Sequence, residues 1–509
     1  MSCVRNVWFY LGSILTVFTN LTCVAIDPPP KASLRTNRVD LQPCHFPSHE
    51  RDLLCGKYPV FEDRAAKAGR IISLNIVVAP ATAAEPKPDP VFFLTGGPGQ
   101  GAARVARARQ DPVMQELRRE RDLIFIDLRG TGDSNPLQCS GTSARTSAQN
   151  YFVDIFPLDR IHACRDALAS IADLRFYTTP IAIDDFEEVR AALGYSKINL
   201  YAVSYGTQAA LQYLRLYSTR VRSALLAGVT TPAAKLPLHF AKGAQQSMDR
   251  LIDDCAADET CAGQFPQLKN NFTSVLAAFD KGPVTFELAH PMFKTSQRVN
   301  LSRGAFGERL RLLLYNHNTA RLIPLLIRQA ASGDWTAFAK ISLGPGAVGA
   351  GVALGMYLSV TCTESVALIS EHEIVQETQG TFLGEYRTRR HQQACSGWPQ
   401  GKISPEYYQP AKSEVPVLML SGEIDPATPP EYGKAATQFL LNSRQIVLRR
   451  TPHDYQSDCA TQLAAEFIAK GSAKDLNASC ADHLRRPRFL TALPERYNRS
   501  GSEPAQRLK

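Results

Sequence analysis

Short apolar runs that stop abruptly at glycine loops recur along this chain. Residues 70–78 alternate and turn apolar like a strand, and the Pro/Ala/Glu/Lys stretch at 79–90 reads as an exposed turn. Residues 91–94 then run straight into Gly96, Gly97, Pro98 and Gly99, and residues 123–127 end at Arg129, Gly130, Thr131 and Gly132. The segments 198–203 and 415–421 repeat the pattern. Buried-type strands that end in glycine loops and lead into helical stretches predict an α/β fold: a mostly parallel sheet flanked by helices, with chemistry at the strand C-termini. Between 232 and 412 helical periodicity takes over, at 248–255, 305–315 and 320–331, with no further strand-to-glycine unit. The expected organisation is a leader at 1–25, a first core part at 26–231, a helical cap at 232–412, a second core part at 413–485 and a polar, fraying tail at 486–509. The glycine-rich stretch 344–355 within the cap suits a hinge or a tight helix contact.

The start of the chain carries a different signal. Arg5 precedes an apolar run from 7 to 18, and the small residues Cys23 and Ala25 bracket an export-peptidase site. The run is short for a bilayer span and is broken by Thr16, Thr19 and Asn20, so a cleaved leader is expected, with no stable membrane span afterwards. Of the 12 cysteines, Cys3 and Cys23 leave with it. The remaining even set suits an exported, disulfide-bonded chain, and its grouping suggests sequential pairs: Cys44 with Cys55, Cys139 with Cys164, Cys255 with Cys261, Cys362 with Cys395, and Cys459 with Cys480. Secretion or a periplasmic location follows. The sequons at Asn271, Asn300 and Asn477 matter only in a glycosylating host.

Length and composition narrow the class. At 509 residues, 44% hydrophobic and 21% charged, the chain is long enough for a large core with one insertion and has an ordinary soluble composition. The net charge of +9 is scattered, and its densest groups (Arg118, Arg119, Arg121; Arg389, Arg390; Arg485, Arg486, Arg488) lack interleaved aromatics. They read as solvated basic surface, with no nucleic-acid partner. No metal-ligand spacing appears, so neither a metal nor a cofactor is expected. The sequence does not indicate an oligomeric state.

The sharpest chemical signal is the string Asn199 to Gly206, a strand turning into a helix with Ser204 at the corner. Small residues two before and two after a serine are what a strained elbow needs, because their backbones must approach closely while Oγ projects. Ala202 holds the place usually taken by glycine. A nucleophilic serine needs a base and an orienting acid, in the chain order Ser, acid, His. The strand at 415–421 ends in Gly422, Glu423, Ile424, Asp425, and a later one at 445–448 leads to Thr451, Pro452, His453, Asp454. His453 is therefore the expected general base and Asp425 its acid, with Glu423 and Asp454 as rival acids. The Gly96–Gly99 loop would supply oxyanion donors, chiefly the amides of Gly97 and Tyr205, since Pro98 has none. A phosphate loop fits poorly because no Lys-Ser/Thr pair follows.

Several segments together resemble the proline iminopeptidase and tripeptidyl aminopeptidase group of α/β-hydrolases. They are Leu54-Cys55-Gly56 with Val60 to Asp63, GGPGQGA from Gly96, DLRGTGDS from Asp127, SYGTQ from Ser204, and VPVLMLSGEIDPATPP from Val415. The resemblance implies hydrolysis of short peptide or amide substrates from a free N-terminus through an acyl-enzyme on Ser204. It also implies a cap carboxylate for the substrate's ammonium group, for which Glu364 in Val360-Thr361-Cys362-Thr363-Glu364-Ser365 is the candidate, fixed by a Cys362–Cys395 bridge. Thr95 before the glycine loop, Ala202, and the Pro452 and Asp454 flanks of His453 depart from the family pattern. An esterase or amidase acting on non-peptides, which would not need Glu364, is the alternative. A silent hydrolase fold used for binding is the reading from another class, and the intact Ser, Asp, His order argues against it.

Overall fold

The computed structural model describes residues 39–49, 53–107, 112–139, 147–290, 295–342 and 351–494. The expected leader and most of the glycine-rich stretch 344–355 lie outside them. In chain order the strands are β1 (Leu41–Cys44), β2 (Leu53–Asp63), β3 (Ala68–Ala79), β4 (Val91–Leu94), β5 (Leu123–Ile126), β6 (Ile198–Val203) and β7 (Val221–Ala227). These are followed by β8 (Val284–Ala289), β9 (Ser296–Leu301), β10 (Val417–Gly422) and β11 (Ser443–Leu448). Nine of them form one sheet in the order β1-β2-β3-β5-β4-β6-β7-β10-β11. The first three strands pair antiparallel, β3 meets β5 antiparallel, and everything from β5 to β11 runs parallel.

The parallel strands are short and apolar because helices cover both of their faces. Every residue of β4, β5 and β10 is buried. One core cluster lies on the face shared by Phe92, Ile124, Leu200 and Leu226, and a second on the opposite face with Phe93, Phe125, Tyr201 and Leu225. Period-two alternation within each strand sends neighbouring side chains to opposite sides. A third cluster belongs mainly to the insertion between β7 and β10, around Phe306, Trp335 and Phe338. That insertion is largely helical, from Phe240–Ala257 onward, and also holds the antiparallel pair β8–β9, which helical periodicity did not anticipate.

Two polar residues of the DLRGTGDS segment fix the loops at the sheet edge. Asp127 accepts from the amides of Ala103 (2.8 Å) and Asp133 (3.0 Å) and from Asn75 Nδ2 (2.9 Å). Arg129 is 0% exposed and donates from Nε and Nη2 to Asp185 (2.7 and 2.9 Å), with further bonds to the carbonyls of Glu62, Phe176 and Phe61. Burying a charge this deeply is tolerated only with such a set of partners.

The chain after Arg485 differs from the fraying tail expected. Arg486 Nε donates to Asp254 (3.0 Å), the Leu490 amide donates to the Arg321 carbonyl (2.9 Å), and Phe489, Leu490 and Leu493 pack against the insertion's core. Three apolar side chains within five positions hold the segment down to residue 494.

Removing the carboxylate in Asp185→Ala leaves the Arg129 guanidinium buried and uncompensated. The expected loss is roughly 3–5 kcal/mol of unfolding free energy, read by urea titration. A variant within about 1 kcal/mol of wild type would show that the ion pair is not what anchors this loop.

Candidate active site

Ser204 follows β6 directly and precedes the helix Tyr205–Tyr217, with φ 57° and ψ −128°. A left-handed φ is unfavourable for a residue bearing Cβ, and close packing around the corner enforces it. A Cβ on Gly206 would stand 2.2 Å from the Leu94 carbonyl oxygen, so only glycine fits there. A Cβ on Gly96 would stand 3.0 Å from Ser204 Cβ, which places the glycine loop's backbone against Ser204. Ala202, by contrast, is a fully buried β6 residue paired with Leu94 and Leu226, a place that accepts a methyl group.

The expected acid, Asp425, and the expected base, His453, stand in the loops after β10 and β11, which are hydrogen-bonded neighbours two and three strands from β6. His453 Nδ1 lies 2.7 Å from Asp425 Oδ2. Asp425 Oδ1 accepts the amides of Ala427 (2.7 Å) and Thr428 (2.8 Å), while Oδ2 also accepts from Thr428 Oγ1 (2.7 Å) and Tyr455 Oη (2.5 Å). Burial works to raise the pKa of this carboxyl, but the charge and hydrogen bond of His453 and the surrounding donors outweigh it and hold it down at about 2. The rival acids are engaged elsewhere: Glu423 accepts from the Arg450 amide (2.8 Å), and Asp454 accepts from Asn316 of the insertion (2.6 Å). Among the described residues no hydrogen bond joins Ser204 Oγ to His453. Such contacts often tighten only when substrate is bound.

The expected oxyanion donors flank this corner. Gly97 sits at φ 114° in the glycine loop. Tyr205 opens the helix, where backbone N–H groups have no intrahelical acceptor. The insertion reaches this loop, for the Ala353 amide donates to the Gly99 carbonyl (2.9 Å). It also reaches the base, with the Tyr315 ring edge-on to His453 at 5.0 Å. Tyr315, Thr428 and Tyr455 carry no sequence motif; only the proximity of Thr428 and Tyr455 to the Asp425 and His453 segments could have flagged them.

Glu364 is enclosed rather than open to solvent. The helix Leu354–Glu364 presents it at 0% exposure with both oxygens occupied. Oε1 accepts the Thr179 amide (2.6 Å), and Oε2 accepts Thr179 Oγ1 (2.7 Å), Tyr407 Oη (2.5 Å) and Gln208 Nε2 (3.4 Å). Thr179 Oγ1 also lies 2.6 Å from Tyr205 Oη. Its contacts reach, through Thr179, the side chain of Tyr205, which follows Ser204. Burial raises its pKa to about 7 against those hydrogen bonds.

All five expected disulfides are formed, Cys44–Cys55, Cys139–Cys164, Cys255–Cys261, Cys362–Cys395 and Cys459–Cys480. Cys362, His391 and Cys395 converge tightly enough for a metal, but both sulfurs are consumed by the bridge, leaving no thiolate.

A family model described as alpha/beta hydrolase fold matches residues 89–281, and one described as TAP-like protein matches 380–480. The chain has the α/β-hydrolase fold. It is a serine hydrolase. The serine protease Hip1 of Mycobacterium tuberculosis is 24% identical over 469 residues, covering 84% of this chain and 87% of that protein. The tripeptidyl aminopeptidase of Streptomyces coelicolor is 22% identical over 486 residues, covering 85% and 84%. A proline iminopeptidase structure from Mycobacterium smegmatis aligns with a TM-score of 0.35 at 15% identity, covering 82% of this chain and 98% of that one. The disulfides and the proteases among these relatives indicate an extracellular location. No helix among the described residues is long and apolar enough to cross a membrane.

Asp425→Asn should lower kcat about 10³–10⁴-fold with little change in folding, because the imidazole loses its oriented tautomer. A loss below tenfold would reassign the acid. For Glu364 the sign follows from a raised carboxyl pKa: its contribution to stability is present below about pH 4.5 and is lost as pH rises through about 7. Glu364→Gln should therefore gain on wild type between pH 5 and pH 8 in urea unfolding, and a constant difference would refute the assignment.

Proposed function

We propose that the protein is an exported aminopeptidase that releases proline, another single residue or a tripeptide from short peptides, with Ser204, His453 and Asp425 as its catalytic triad. The observation carrying this reading is the shared sheet edge, where the strained Ser204 elbow, the glycine loop and the hydrogen-bonded His453–Asp425 pair meet beneath the insertion. Names borne by relatives along most of their lengths support the peptidase class. Five disulfides and the leader-like N-terminus support export.

In this mechanism Ser204 Oγ attacks the scissile carbonyl carbon while His453 Nε2 takes its proton. The developing oxyanion is met by the amides of Gly97 and Tyr205, worth about 3–4 kcal/mol per well-aimed donor. Asp425 keeps Nδ1 protonated and offsets the imidazolium charge. His453 then passes its proton to the departing amine, and water repeats the sequence to free the acyl group from Ser204.

The enclosure of Glu364 favours a second reading, an esterase or amidase that does not select a free amine. Purified mature protein assayed on proline, alanine and tripeptide chromogenic amides, with free and blocked N-termini, beside short acyl esters, separates the two. The aminopeptidase reading expects turnover of the free-amine peptides alone, and equal cleavage of blocked substrates would overturn it. Ser204→Ala should abolish turnover of every substrate while the protein stays folded. Glu364→Gln should reduce peptide and ester turnover alike, in keeping with its role in positioning Tyr205.

A further inference from the structure

The Arg485, Arg486, Arg488 group, which reads in sequence as solvated surface, is folded into a half-open cavity of about 210 Å³. Arg449 and Arg450 from the loop after β11 complete its lining, with Asp254 and Asp258 from the insertion. Five guanidinium groups thus face two carboxylates, and both carboxylates are already engaged. Asp254 is held by Arg450 Nε (3.0 Å) and Arg486 Nε (3.0 Å), while Asp258 accepts the Cys261 amide (2.7 Å) as a helix cap. Glu423, just outside the lining, pairs with Arg450 as well (3.2 Å). Arg449, Arg485 and Arg488 have no carboxylate partner among the described residues.

Arg449, Arg485 and Arg488 are exposed at the mouth of the cavity, and Arg486 is enclosed behind them. The Arg486 side chain is only 7% exposed, and its Nη2 is buried without a hydrogen-bond partner. His317 Nδ1 and Arg321 Nε, on the insertion beside it, are buried in the same condition. Burial, then the neighbouring Arg450, lowers the pKa of Arg486 against the pull of Asp254; burial and Arg486 together bring His317 down to about 4. This corner of the protein is rich in donors and short of acceptors.

We propose that this cavity is a binding site for a small, multiply charged oxyanion of the phosphate, pyrophosphate or sulfate type. Planar guanidinium forks match tetrahedral oxyanions two bonds at a time, and desolvated walls strengthen each contact. The anion would bridge three separate parts of the chain: the loop that carries His453, the segment after Arg485, and the insertion. Arg450 lies three residues before His453, and His317 follows Asn316, which holds Asp454. The site is distinct from the triad and does not depend on which substrate Ser204 attacks.

The test uses the full mature protein with its disulfides intact. Phosphate, pyrophosphate and sulfate are titrated separately by calorimetry and by thermal unfolding, with ionic strength held constant by sodium chloride. At least one of them should bind at one site per chain and raise Tm by roughly 5 °C at saturation. The exposed pair Arg485→Ala/Arg488→Ala, whose unliganded Tm and circular dichroism report its folding, should bind at least tenfold more weakly. Ordering of the three ions would show whether charge or the phosphoryl group is selected. No heat and no Tm shift beyond that of chloride would overturn the proposal, as would equal affinity in wild type and the double variant.

Discussion

The active edge depends on how closely three backbone loops approach one another around Ser204. The first turn of the nucleophile helix lies against the end of β4 so tightly that Gly206 has no space for a methyl group. The glycine loop presses on Ser204 Cβ, and Asp127 draws the loops at Gly101 and Gly132 within contact distance of its carboxylate. Backbone strain at φ 57° persists because each of these contacts leaves the serine nowhere else to go. Packing of this kind fixes the backbone around Ser204 in one arrangement.

Two fully buried carboxylates show how partners decide the state of a charge. Asp425 and Glu364 both lose their water, and each accepts several hydrogen bonds. Asp425 also faces an imidazole able to carry positive charge, which drives its pKa down to about 2. Glu364 meets only neutral hydroxyl, amide and carboxamide groups, and burial wins, taking it to about 7. The first is suited to stabilising a transient imidazolium; the second holds Tyr205 through Thr179.

Much of this was legible in sequence, for identifiable physical reasons. A parallel strand buried on both faces must be apolar and must end where the chain turns, so 91–94 and 198–203 could be read to the residue. Ser204, Asp425 and His453 lie just after β6, β10 and β11, with Asp425 and His453 hydrogen-bonded, and cysteines grouped close in sequence found their neighbours. The antiparallel β8–β9 pair was missed because half of its residues face solvent and its pattern competes with the helices around it. The fate of Glu364 was not legible at all. Its environment is assembled from Thr179, Gln208 and Tyr407, which converge only in three dimensions. Likewise Arg486 counted as surface until three apolar residues after it were seen to hold it against the insertion.

The five disulfides share a property beyond their stabilising effect. Their partners are 6 to 33 residues apart, and no bridge spans another cysteine. From Cys44 onward, a chain made from its N-terminus therefore presents each new thiol with its correct mate next in line. Oxidation that keeps pace with emergence then reaches the native set without reshuffling mistaken pairs.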